Sequence, residues 1–431
     1  MADLWRLKPP GPVNLYSAPA FVHLRETCQA LYGTSSKSGL NVALGNALRA
    51  WGLPCGLRKS DAHLSIPSGI AAVRLDAAFQ AERHKRTHLC PLDLADSLPD
   101  LWFGPNNIRK FSATELDDIV DPVQLTRFNP NWKFDSQAFA KFSWLVVREE
   151  VAFNCEPGAR ALPIFYTDFS ADLGRIDPYQ AHFPSDVEAA LVAVLLVPWE
   201  DWVEMAEVDW RAFRIPWSYT IDDDVFTRPV HPPSPDTLSW ESQIYTDDEG
   251  EDVEVDSPVV LPLDIAVSDP SMWLNEQTWN DLCSAQKSPL FQAPISHFFI
   301  RAFATDGVDS FLAHIMVLEA ALGLHDDHSS SKRRTLPGRG NPGATFRVAT
   351  RLSALLGTKA AGENFHRLFD LRSSYLHGRQ VDPISTEDRI LARRLARQTI
   401  KALCKLALAE PMLQSRDDYL EDLLDAGLSL R

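Results

Sequence analysis

Apolar positions in the last third of the chain recur with the period of an α-helix. Val308, Phe311, Leu312, Ile315, Leu318 and Leu322 share one face, Phe346, Ala349, Leu352 and Leu356 share another that ends at Gly357, and Phe365, Phe369 and Leu376 share a third. Gly378 follows the third helix as a residue suited to the left-handed turn past a helix end. Ser385, ahead of Thr386-Glu387-Asp388, caps a fourth and longer helix that runs to about Ala409. With no strand signal among them, these segments predict an all-α helical bundle over 291–431.

Ahead of the bundle the pattern is shorter and irregular. Leu40 to Trp51 predicts a helix, whereas Phe142 to Val147 and Leu191 to Val197 read as strands between loops rich in Pro, Asp and Asn. Residues 1–228 are therefore expected to form a mixed α/β domain. Residues 229–285 read as an acidic, Pro-rich linker or insert. Pro229, Pro232, Pro233 and Pro235 precede the run Asp247 to Asp256, whose acids lack the alternating-oxygen spacing of a calcium loop and suit a solvated, flexible segment. The expected fold class is multidomain α+β.

A length of 431 residues exceeds the usual single core, and 45% hydrophobic with 23% charged residues suits a globular protein. The start Met1-Ala2-Asp3-Leu4-Trp5 has no basic-then-apolar leader, and the longest apolar run, Ala189 to Trp199, is too short to cross a bilayer. The six cysteines are scattered without metal-ligand spacing. These features favour a reducing cytoplasm, no membrane partner and no cofactor. A net charge of -16 argues against a nucleic-acid partner, but residues 291–431 carry 19 Lys+Arg against 16 Asp+Glu, so the predicted bundle is electrostatically separate from the acidic remainder.

The candidate chemistry lies in that bundle. Arg372 occupies the apolar face between Phe369 and Leu376, where a charge is costly unless paired or working. Beside it runs a polar row, His366, Asp370, Ser373 and His377, which leaves His377 in the last turn. Histidine there can exchange protons near neutral pH, as general acid-base chemistry requires. Glu319 borders the apolar stripe of the first bundle helix, so Glu319 and Arg372 are expected to pair, either as a structural ion pair or to orient the arginine.

Two basic features could meet phosphate. Arg389, Arg393, Arg397, Lys401 and Lys405 form a row at four-residue spacing, and the loop from Ser331 to Gly340 carries Lys332, Arg333, Arg334 and Arg339. A solvated helix face and a solvated loop are the alternatives. His325-Asp326-Asp327-His328 has metal-binding residue types, but four consecutive residues cannot all converge on one ion, so a polar loop is preferred and no metal site is expected.

The segments Leu318-Glu319-Ala320-Ala321-Leu322-Gly323 and Leu368 to Gly378 together resemble the HEPN superfamily of helical-bundle proteins, in particular its ApeA-like branch. The resemblance covers about 291–410. It rests on an Arg, a polar residue, three further residues and a His followed by Gly, which are Arg372, Ser373, His377 and Gly378 here. It implies a metal-independent endoribonuclease that works as a homodimer. His377 would move the proton of the attacking ribose 2′-OH or of the leaving oxygen, Arg372 would stabilise charge on the phosphorane, and Ser373 would hold the polar position, with Asp370, Tyr375 and Glu319 in support. Five residues separate Arg372 from His377, about 140° around a helix, so two copies facing each other present the pair better than one. RNA, with tRNA or another structured RNA as candidates, would be the substrate, and Arg333, Arg334, Arg339, Arg393 and Arg397 its contacts. The resemblance further implies a regulated antiviral or toxin effector whose N-terminal domain senses a phage-derived or cellular trigger. A HEPN module that only binds RNA or protein is the alternative.

Overall fold

The computed structural model is mixed α and β, with its longest strands in the first half of the chain and helices in the last third. It describes residues 1–430 except 10, 12, 13, 35, 164–169, 171, 173, 247–249, 265, 379–382 and 410–414. Among the described residues, no helix is long and apolar enough to cross a membrane.

Contacts divide the chain into two compact units. The first comprises 1–90, 110–176 and 218–238, and the second comprises 91–109, 177–217 and 239–431. This grouping is interleaved along the chain, whereas the division into 1–228, 229–285 and 291–431 is contiguous. Strands and buried arginines join distant segments that a linear reading keeps apart.

The first unit holds α1 (Ala2–Trp5), α2 (Pro19–Tyr32), α3 (Lys37–Ala50), α4 (Ser68–Gln80), α5 (Ala113–Val120), α6 (Pro122–Phe128), α7 (Ser136–Phe139) and α8 (Pro157–Ala161). Phe21, Leu40, Leu44, Leu48, Trp51, Leu75 and Phe226 form one fully apolar core between the longer helices. Helices α3 and α8 touch backbone to backbone. A Cβ at Gly39 would lie 2.8 Å from the Gly158 backbone, so only glycine permits the crossing. Strand Arg83–Leu92 lies between Ser143–Ala152 and Tyr219–Asp222. It runs antiparallel to the latter, with Arg86 opposite Asp222 and His88 opposite Thr220.

The second unit holds α9 (Ser185–Leu195), α10 (Glu276–Ala285), α11 (Ala293–Ala304), α12 (Gly307–Leu322), α13 (Ala344–Leu356), α14 (Lys359–Leu376), α15 (Thr386–Ala407) and α16 (Arg416–Leu430). Helix α12 packs on α11 and α15, and α13 packs on α14 and α16. A hairpin of Leu101–Phe103 and Asn106–Lys110 turns through Gly104, whose φ of +57° and closeness to the Trp279 ring of α10 both exclude a side chain.

Two expectations are corrected here. The run Leu191 to Val197, read as a strand, falls largely in α9. Ala190, Leu191, Val192, Ala193, Val194 and Leu195 are all buried, so beyond its first turn the helix is apolar on every side and loses the periodicity that would reveal it. The segment read as a flexible linker contains an antiparallel pair, Trp240–Thr246 with Asp252–Pro258, followed by α10. Asp247, Asp248 and Glu249 of the acidic run lie outside the described residues.

Candidate functional site

Helix α14 starts at a Thr358 cap, whose hydroxyl accepts from the Ala361 amide, and buries Ala361, Phe365 and Leu368. One turn beyond Leu368 the same inward face delivers Arg372. Its guanidinium carbon sits 5.2 Å from the centre of the Phe369 ring, and Nη2 lies 3.4 Å from Glu319 Oε2 on α12. The two side chains are 24% and 27% exposed, so the pair is only partly desolvated. Burial raises the Glu319 carboxyl above its ordinary range, against the opposing pull of Arg372 and His328.

Past Arg372 the helix emerges into solvent. Ser373 is half-buried, and its carbonyl accepts the His377 amide at the helix end. Tyr375, Leu376 and His377 are exposed, and Gly378 turns the chain with φ +64°. Among the described residues the His377 ring has no hydrogen-bond or ionic partner. Asp370 is exposed and faces His366, with 3.4 Å between ring and carboxylate. The structure thus brings Arg372, Glu319 and Phe369 together and sets His377 apart, around the helix from the arginine.

The basic row on α15 is corrected most strongly. Arg393 and Arg397 are 1% and 4% exposed and do not face solvent as an RNA-contacting ridge would. Arg397 binds Glu200 at 2.6 Å and Asp201 at 3.1 Å, while Arg393 donates to the Leu195 carbonyl at the end of α9 and approaches Glu200. Lys401 lies 3.1 Å over the Trp273 ring, and Lys405 is exposed. In the loop after α12, Arg334 is held by Asp425 and Glu421 of α16, and Arg333 donates to the Pro342 carbonyl. Arg339 is exposed, lies over the Phe346 ring at 5.5 Å, and has no carboxylate partner among the described residues.

His325 to His328 form a single 3-10 turn. Asp327 is buried, caps the turn by accepting the Leu324 amide, and pairs with Arg351, itself fully buried on α13. The Arg351 guanidinium also donates to the carbonyls of Leu322 and Leu420 and to Glu421. That commitment of Asp327 explains the acid in this turn without an ion.

Sequence reasoning missed a polar network in the first unit. His84, Arg86 and His88 alternate along one strand and therefore share a face, a signal present in the sequence as three basic residues at period two. His84 Nδ1 lies 2.6 Å from Asp222, Arg86 Nε donates to the same carboxylate at 2.9 Å, and His88 bridges Thr220 and Glu149. Burial alone would raise the Asp222 carboxyl, but Arg86, the Asp224 amide and His84 together hold it below its ordinary value. Potential metal-ligating atoms of His84, Asp222 and Asp223 lie within 4.8 Å of one another. Asp222 is already occupied by Arg86 and His84, and Asp223 accepts the Lys85 amide at 2.8 Å.

Compared with protein-family models, with curated proteins and with solved structures, the chain has no match.

Proposed function

We propose that the chain is a HEPN-type endoribonuclease that cleaves RNA by attack of a ribose 2′-OH on the adjoining phosphate, without a metal ion. The observation that carries this reading is the division of labour at the end of α14. Arg372 is held partly buried by Glu319 and Phe369, while His377 is exposed and its ring has no partner among the described residues. A held cation suits charge building on a phosphorane, and an accessible imidazole suits proton transfer. Two copies meeting at the exposed Tyr375, Leu376 and His377 would bring His377 of one to Arg372 of the other, with Ser373 beside the arginine. Arg339, with Arg333 on the same loop, would in this reading contact the RNA backbone. In this reading the protein is a cytoplasmic defence or toxin effector, and the first unit senses its trigger.

The ion pair itself favours a second reading, a HEPN module that binds RNA or protein without cleaving it, in which Glu319 and Arg372 only stabilise the bundle. Cleavage of structured RNA and tRNA in EDTA separates the two. The proposal expects cleavage by the unmodified protein and a loss of about 100-fold or more in His377→Ala and in Arg372→Ala, with fold and dimer retained. Activity that survives both substitutions, or that disappears on chelation, overturns it.

A further inference from the structure

A cavity of about 390 Å³ in the first unit lies between the start of the chain and α3. Its walls are built by Tyr16, Gly45, Asn46, Arg49, Leu53 and Cys55, with Leu15 and Leu57 closing its apolar side. The volume is within the range of small-molecule sites, which combine apolar walls with a few placed polar groups.

Three features point to the occupant. The first is charge. The chain carries 16 more acidic than basic residues, yet among the described residues no Asp or Glu lines this cavity, and the exposed Arg49 at its wall has no carboxylate partner, its guanidinium carbon lying 5.8 Å from the centre of the Phe128 ring. A guanidinium without a carboxylate at an acid-free recess favours an anion, and its fork suits phosphate or sulfonate.

The second is the aromatic wall. Tyr16 sits in a short 3-10 turn, Leu15–Ser17, whose Asn14 cap accepts the Tyr16 amide at 3.0 Å and thereby fixes the ring's backbone. The third is space. Gly45 lies in the interior of α3, where glycine is less favourable than alanine. A Cβ at Gly45 would come 3.1 Å from the Tyr16 hydroxyl and 3.2 Å from its ring, so the glycine lets the ring lie directly on α3 as one wall of the cavity. Asn46 adds direction. Its amide nitrogen donates to the Phe226 carbonyl at 2.9 Å, which leaves the side-chain oxygen as an acceptor.

We infer that this cavity binds a small organic anion carrying a flat ring, of nucleoside monophosphate size, with the anionic group on Arg49, the ring against Tyr16 and the leucines, and an exocyclic donor on Asn46. The inference is independent of the ribonuclease reading, because it concerns the other unit and no residue of α14.

The full-length protein is titrated by calorimetry with the four ribonucleoside 5′-monophosphates and with 8-anilinonaphthalene-1-sulfonate. The expected result is saturable one-site binding of at least one of these five probes. Binding of that probe should weaken at least tenfold in Arg49→Ala and be abolished in Gly45→Leu, both verified as folded by circular dichroism. The bound probe should also slow alkylation of Cys55, followed by peptide mass spectrometry, in the unmodified protein. Absence of saturable binding by all five probes overturns the inference. Binding that both folded variants retain, or that leaves Cys55 as reactive as before, places the ligand elsewhere and equally overturns it.

Discussion

Replacing Asp327 by alanine removes the main charge that justifies a guanidinium in the interior of the second unit. Arg351 is fully buried on α13 and divides its donors among Asp327, Glu421 and the carbonyls of Leu322 and Leu420, so it ties together the end of α12, the 3-10 turn and α16. Breaking a buried pair by deleting one partner typically costs about 3–5 kcal/mol, because the remaining charge is left uncompensated. Here Glu421, 3.2 Å away and one-third exposed, and the two carbonyls remain, which sets the expectation at the low end, roughly 3 kcal/mol. For a unit of this size each kcal/mol shifts the melting temperature by roughly 2–4 °C, so a drop of roughly 6–12 °C is expected in differential scanning calorimetry. The double substitution Asp327→Leu with Arg351→Met should recover most of that loss, since an apolar pair of similar volume carries no desolvation penalty. A single variant within about 1 kcal/mol of the parent, or a double variant no better than the single, refutes this account of the hub.

Two further outcomes follow from local environments. Burial raises the Glu319 carboxyl despite Arg372, so the native state holds this proton more tightly than the unfolded chain does, and raising pH through the carboxyl range removes stability. The melting temperature of Glu319→Gln relative to the parent should therefore be higher at pH 7 than at pH 4, and a difference that does not change with pH would contradict the assignment. Cys90 is fully buried with its thiol pushed up to about 12, whereas Cys155 is exposed. Iodoacetamide at pH 8 should label Cys155 in the native protein and leave Cys90 unmodified until denaturant is added, and labelling of both at equal rates would contradict this burial.

Four helices of the last third, α12 to α15, were legible because they are amphipathic and bounded by ordinary signals, such as Ser385 at a start and Gly357 at an end, whereas α11 and α16 were not singled out. The proximity of Glu319 to Arg372 was legible for the same reason, since both sit on apolar faces of helices that must pack. Legibility ended where burial was complete or the partner distant. Helix α9 hid because its stretch from Ala190 to Leu195 is buried on all sides and only its first turn meets water. Arg393 and Arg397 look like a solvated ridge until Glu200 and Asp201, almost 200 residues earlier in the chain, fill the space opposite them. Four-residue spacing states which residues share a face, and only the tertiary contact states what that face meets. The His84, Arg86 and His88 network escaped for a related reason, because the carboxylates that give it meaning lie on two other strands.

The paired strands Trp240–Thr246 and Asp252–Pro258 form a sheet of only two strands, so among the described residues both outer edges keep unpaired amides and carbonyls. Ile244, Tyr245, Val253 and Val255 are exposed on it, a combination that ordinarily invites another chain to add a strand. Eight acidic residues and no Lys or Arg between 240 and 258 supply the counterweight, since two copies approaching edge to edge must bring like charges together. That protection depends on ionisation. Acidification that neutralises these carboxylates removes the repulsion and leaves the exposed apolar strands without that guard.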